Sequence, residues 1–273
     1  MKQIKLVVLD IDGTIVGKNK AISPPVRSAI TAVQSLGVQV ALATGRMYRA
    51  ALPYHHAVNS RLPLIAYQGA LLKDPADGRV LMHLPVPIER TREVIPLLDG
   101  EGLVVHVYIN DALYVRAFTE ASRRYGERTG VEPQVVGDLN RVLTAEPTKI
   151  LGLSDSEAET DRVLAALGER YRPDELYLTK SDPTFVEVTN PLVNKGRAVR
   201  FLAEDCLGLV ADEVLCVGDQ FNDLEMITYA GTGVAMGNAP DAVRSAANWV
   251  APTVEEDGVA AALEKFVLIP GAS

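Results

Sequence analysis

The sequence predicts an α/β protein: a parallel-sheet core with an α+β unit inserted into it. Three observations carry that expectation. Short apolar runs rich in β-branched residues alternate with helical periods in the first third, the pattern of βαβ units. The same alternation returns in the last third. Between them, strand-like runs lie close enough in sequence to pair through turns, as an antiparallel insertion requires.

Taken in order, residues 4–9 read as a buried strand, 24–36 as a helix, and 38–43 and 64–67 as further strands. The helix is marked chemically at both ends, by Ser23 as N-cap, Pro24 in the first turn and Gly37 as the stop. The middle offers strands at 104–109, 112–116, 148–153, 176–179 and 185–188, with helices at 88–98, around 119–128 and at 157–170. Two of those strand pairs are near enough to form hairpins. The last third gives a helix at 195–206, a strand at 213–217, a helix at 222–230, a strand at 233–236 and a terminal helix at 258–266. The insertion is bounded near Leu81 and Asn190.

With 273 residues, 48% of them hydrophobic, the chain can fill one large core or two modest ones. Its net charge of -8 and isoelectric point near 5.1 argue against nucleic acid and anionic membranes as partners. An anionic substrate would therefore need local cations or a metal. The apolar run at 4–9 is too short for a signal peptide, and no other run approaches membrane-spanning length. Two unpaired cysteines, Cys206 and Cys216, then suggest a reducing, cytoplasmic setting, with both thiols expected as small buried hydrophobes. His55, His56, His83 and His106 lack metal-ligand spacing and read as structural or surface residues, and Tyr67, Tyr108 and Tyr114 as packing residues.

Four segments carry chemistry. Asp10-Ile11-Asp12-Gly13-Thr14 follows the first strand directly, where open α/β sheets bind ligands. Asp10 and Asp12 would share a face if the extended conformation continued, and Gly13 would let the chain leave sharply; simple turn chemistry is the bland alternative. Thr44-Gly45-Arg46, after the next strand, offers a hydroxyl, an approachable backbone amide and a guanidinium, all suited to phosphoryl oxygens, although Thr44 could equally be an N-cap. Lys195 opens a late helix, where its ammonium could neutralise a transferring phosphoryl group or simply lie at the surface. In Gly218-Asp219-Gln220-Phe221-Asn222-Asp223, two more acids follow a buried strand and would repel each other without a cation. Hard oxygen ligands favour Mg²⁺, while Asn222 or Asp223 could also cap a helix.

Together these segments resemble the four motifs of the haloacid dehalogenase superfamily, and their order and the insertion between the second and third resemble its Cof-type phosphatases. Gln68-Gly69-Ala70 is similar to a stretch where relatives often have Asn-Gly-Ala, and Glu187 before Lys195-Gly196 adds to the likeness. The resemblance implies a Rossmann-like core with helices on both faces, formed by residues 1–81 and 190–273, and an inserted α+β cap at 82–189 that selects substrate. It implies Asp10 as a nucleophile forming an aspartyl-phosphate and Asp12 as general acid and base. Mg²⁺ would be held by Asp10, the backbone carbonyl of Asp12 and Asp219, with Asp223 in support. Thr44, Gly45, Lys195 and Asn222 would bind phosphate. The implied activity is hydrolysis of a small-molecule phosphate ester, with a phosphomutase or phosphotransferase, or a regulatory phosphometabolite-binding module, as the alternatives.

Overall fold

The computed structural model describes residues 3–180 and 182–269, in two compact units. The first holds the described residues within Met1–Thr44, Ala51–Leu81 and Asn194–Ser273; the second holds Gly45–Ala50 and Met82–Val193.

At the centre of the first unit is the strand Leu6–Leu9, whose four side chains are fully buried whichever way they point. Burial on both faces is what a parallel strand needs, and each such side chain gains about 1.5–3 kcal/mol by leaving water. On one side Leu6–Leu9 pairs with Gln39–Leu42, and on the other with Val214–Gly218, both parallel. Thr232–Ala235 and Trp249–Val250 complete a five-stranded sheet beyond Val214–Gly218. The chain therefore leaves its first strand in one direction and comes back on the opposite flank. That reversal opens a crevice at the carboxyl ends of Leu6–Leu9 and Val214–Gly218.

Helices pack against this sheet in two groups. Pro24–Ser35 packs against Gln39–Leu42 and against Gly258–Leu263, while Lys195–Arg200 packs on Leu224–Tyr229, which in turn lies on Val214–Gly218 and Thr232–Ala235. Ser23 caps Pro24–Ser35 by accepting the Val26 N–H at 3.4 Å, and Gly37 follows with φ +82°. A hairpin of Leu64–Ala66 and Leu71–Lys73 is joined by the turn Tyr67–Gly69, in which all three residues have positive φ.

The second unit is a six-stranded sheet in the order Tyr177–Thr179, Phe185–Thr189, Lys149–Leu153, Val104–Ile109, Ala112–Val115, Gln134–Val135. Its pairs are antiparallel except the last, and both expected hairpins are present. Alternation sorts its side chains. Val105, Val107, Ile109, Ile150, Val186 and Val188 join an apolar core with residues of the helices Ile88–Gly100 and Glu157–Arg170. His106, Tyr108, Lys149 and Glu187 fall on the opposite strand face and are buried too, with Lys149 Nζ donating to Glu187 Oε1 at 3.0 Å.

Several details depart from expectation for physical reasons. The helix Tyr48–Ala57 carries Pro53 in its interior, which breaks the helical signal, and Asp241–Ala246 spans under two turns. The segment 195–206 is α-helical only to Arg200 and widens into a π-helix over Phe201–Cys206. That over 222–230 begins as the 3₁₀ turn Phe221–Asp223 before Leu224–Tyr229. Cys206 is exposed rather than buried, because the last π turn buries Leu202 and Ala203 and leaves Cys206 outside. Cys216 is buried in Val214–Gly218.

Candidate active site

The site grows from the carboxyl ends of two adjacent strands. The Asp10 N–H donates to Val217 O at 3.0 Å, extending the sheet ladder one residue past Leu9 and fixing Asp10 in a buried position. The chain then folds back at once, with the N–H groups of Ile15 and Val16 both donating to Ile11 O, at 3.0 and 2.9 Å. The extended conformation therefore stops at Asp10, and the alternation expected to align Asp12 with it does not apply. Asp12 is exposed and stands outside the carboxylate cluster described below. Gly13 takes φ +82°, and a Cβ there would collide with the Asp219 carboxylate, so only glycine lets this turn close on Asp219. Thr14 Oγ1 donates to Asp219 Oδ1 at 3.2 Å.

From the neighbouring strand, Asp223 folds back over Gly218, where a Cβ would lie 2.5 Å from Asp223 Cβ. Asp223 Oδ2 accepts the N–H groups of Asp219 and Gln220, each at 2.9 Å, so it caps this turn as well as facing the site. Lys195 arrives from the start of the helix Lys195–Arg200, which Asn194 caps by accepting the Arg197 N–H at 2.6 Å. Its ammonium donates to Asp10 Oδ1 and to Asp223 Oδ1, both at 2.6 Å, and the residue is only 1% exposed.

Lys195 thus joins the two acidic motifs, and ligand oxygens of Asp10, Asp219 and Asp223 lie within 4.8 Å of one another. Asn222 Nδ2 donates to Gln68 Oε1 at 2.7 Å, which links the two polar residues flanking the site in sequence. Thr44 is buried at the end of a segment of the first unit, and its carbonyl accepts the Gln68 N–H at 3.0 Å. Gly45 opens the segment Gly45–Ala50, which belongs to the second unit. Sequence reasoning misses Asn238. Its one signal is its place just beyond the carboxyl end of Thr232–Ala235, another strand of the same parallel sheet.

The family model of haloacid dehalogenase-like hydrolases matches residues 7–263. The chain belongs to that family. It is 28% identical to the 5-amino-6-(5-phospho-D-ribitylamino)uracil phosphatase YitU of Bacillus subtilis, over 96% of this chain and 97% of the relative. Pyridoxal phosphate phosphatase YbhA of Escherichia coli is 27% identical, over 94% and 96% of the two chains. Among solved structures, a haloacid dehalogenase-like hydrolase from Bacteroides thetaiotaomicron superposes with a TM-score of 0.88 at 26% identity, covering 96% of this chain and 99% of that one.

The electrostatics of this hydrolase follow from that crowding of carboxylates. Burial holds the Asp10 carboxyl well above the usual carboxylate range; Lys195 pulls it down, but the Asp223 and Asp219 carboxylates push it further up. Burial, again with Asp223, raises Asp219 to about 6. Lys195 moves the other way from most buried lysines: burial alone would lower it, yet Asp10 and Asp223 hold it above its ordinary value. Three convergent carboxylates against one ammonium leave an excess of negative charge in a buried place. A divalent cation with a preference for oxygen ligands fits that donor set.

Proposed function

We propose that this hydrolase is a Mg²⁺-dependent phosphatase that acts on small phosphorylated metabolites through an aspartyl-phosphate on Asp10. The observation that carries the proposal is the buried Asp10 carboxylate at a strand end, bonded to Lys195 and clustered with Asp219 and Asp223. The two relatives described above are named for phosphorylated small molecules, which supports the same substrate class here.

In the first displacement an Asp10 carboxylate oxygen attacks phosphorus and the bond to the ester oxygen breaks. Asp12 gives its proton to that departing oxygen. In the second, water attacks the phosphorus of the acyl phosphate, Asp12 takes back a proton, and inorganic phosphate leaves with Asp10 regenerated. Lys195 and Thr44 address the phosphoryl oxygens, while Asp223 keeps Lys195 in place. Asp10, the Asp12 carbonyl and Asp219 would hold Mg²⁺, with Asp223 behind them. When bound, the ion supplies positive charge that lets an anionic nucleophile meet an anionic phosphoryl group. Choice of leaving group is assigned to the second unit, which carries none of the acidic motifs. Incubation with a broad panel of phosphate esters and Mg²⁺ tests the proposal. Release of inorganic phosphate supports it, and a rearranged or new ester would identify a mutase or transferase instead.

Replacing Asp12 probes the proton transfers. Asp12→Asn is expected to lower kcat/KM by about 10²–10⁴-fold for alkyl phosphates and by much less for aryl phosphates, whose leaving groups need little protonation. A loss that stays uniform across a series of leaving-group pKa values would remove Asp12 from the general-acid role.

A pH effect follows from the raised carboxyls. Because Asp219 titrates near 6 in the fold and near 3.8 when unperturbed, its contribution to metal-free stability is complete below the lower value and is lost as pH rises through the higher one. Asp10 is displaced in the same direction. Mg²⁺ competes with those protons, so its stabilising effect should grow with pH. Thermal denaturation with and without Mg²⁺ is expected to show a larger gain in Tm at about pH 7.5 than at about pH 5. A gain that shrinks over that interval would contradict the assignment.

A further inference from the structure

Three neutral donors hold the Asp219 carboxylate: Thr14 Oγ1 on Oδ1, and Gln220 Nε2 and Asn238 Nδ2 on Oδ2, each at 3.2 Å. Asn238 differs from the other two in what else it binds. Its Nδ2 also donates to Gly13 O at 3.0 Å, and its Oδ1 accepts the Val254 N–H at 2.9 Å. The orientation of the amide follows from these partners. A flipped amide would set Oδ1 against two acceptors and Nδ2 against an N–H, losing all three bonds.

One carboxamide therefore ties together the turn after Asp10, the carboxylate of Asp219 and the backbone at Val254. Gly13 is the residue next to Asp12, so the same side chain that orients the Asp219 carboxylate also anchors the turn on which Asp12 sits. We infer that Asn238 is a positioning residue for the cation site: it holds Asp219 and the Asp12–Gly13 turn in mutual register, so that they bind a divalent cation together. The inference rests on the proposed reading of Asp219 as a cation ligand. Residues that orient a ligand from behind commonly change metal affinity by about 10 to 100-fold when lost.

Asn238 is exposed overall. Its removal leaves no large buried cavity, which separates a positioning role from a structural one. The test uses the full chain, with Asn238→Leu as a near-isosteric variant without hydrogen bonds and Asn238→Ala as the second. Mg²⁺ alone is titrated into each metal-free protein by calorimetry, with no substrate present, and metal-free Tm is measured beside it. The expected result is a Kd for Mg²⁺ raised about tenfold or more in both variants, a metal-free Tm within about 2 °C of the parent, and kcat largely recovered at saturating Mg²⁺. A Kd within twofold of the parent in either variant that stays folded would overturn the inference while leaving the proposed function intact. A lowered Tm with an unchanged Kd would assign Asn238 to the fold alone and overturn it too. Failure of the parent itself to bind Mg²⁺ would sink both readings.

Discussion

Asp10→Asn is expected to abolish turnover while leaving the fold in place. The amide keeps the shape of the side chain and an oxygen for Lys195, whose Nζ lies 2.6 Å from Asp10 Oδ1. What it loses is the anion that, in the proposed mechanism, attacks phosphorus. A fall in kcat/KM of at least about 1,000-fold, or about 4 kcal/mol of barrier, is the expected size. Stability should move the other way. Burial and the neighbouring Asp223 and Asp219 carboxylates already disfavour the charge on Asp10, so neutralising it relieves repulsion and leaves the metal-free Tm unchanged or higher. Steady-state activity within about tenfold of the parent would take the nucleophile role away from Asp10.

Lys195→Met is expected to fail on both counts. Methionine nearly matches the lysine stem in length but carries no charge, so Asp10 and Asp223 would remain buried without the ammonium that each now accepts at 2.6 Å. Removing one partner of a buried ion pair costs about 3–5 kcal/mol. In a chain of this size that corresponds to a fall in Tm of about 6–20 °C. Lys195→Arg should not restore the parent, because a planar guanidinium needs room that a residue 1% exposed does not have. The penalty should narrow as pH falls and Asp10, whose carboxyl burial already holds above the usual range, takes up a proton. Thermal denaturation across pH checks this, and a Tm independent of the substitution would show that the pair contributes nothing to the fold.

Much of this architecture is legible in the sequence because physical constraints leave repeated marks there. A buried parallel strand must be apolar throughout, so a charged residue immediately after it marks the carboxyl end of the strand, where ligands bind; Asp10 and Asp219 both satisfy that rule. Asn238 stands beyond Thr232–Ala235 in the same way, but a single neutral amide after a strand looks like any turn residue, and its three bonds depend on chain segments far apart in sequence. The alternation argument for Asp12 fails for a local reason. Strand alternation is a safe guide only while the backbone stays extended, and the chain turns at Ile11, whose carbonyl accepts the N–H groups of Thr14, Ile15 and Val16. Cys206 misleads because burial is a tendency of the residue type, and a π-helical turn shifts which side chains face the core. The second unit's hairpins are readable from alternation and spacing, whereas the parallel pairing of Gln134–Val135 with Ala112–Val115 leaves only two residues of signal.

The reversal of chain direction around Leu6–Leu9 also orders events during synthesis. Asp10 and Lys195 are separated by 185 residues, and the strand's second neighbour, Val214–Gly218, is made later still. At roughly 5–20 residues per second on the ribosome, about 10–40 s pass before the ammonium that Asp10 accepts has been polymerised. At the end of that interval the N-terminal strand can have only one of its two partners, while Met82–Val193 has been made as a continuous stretch. Met82–Val193 is thus synthesised before Asp10, the proposed nucleophile, can acquire Lys195 as its partner, so the buried charge pair is among the later contacts the chain can make.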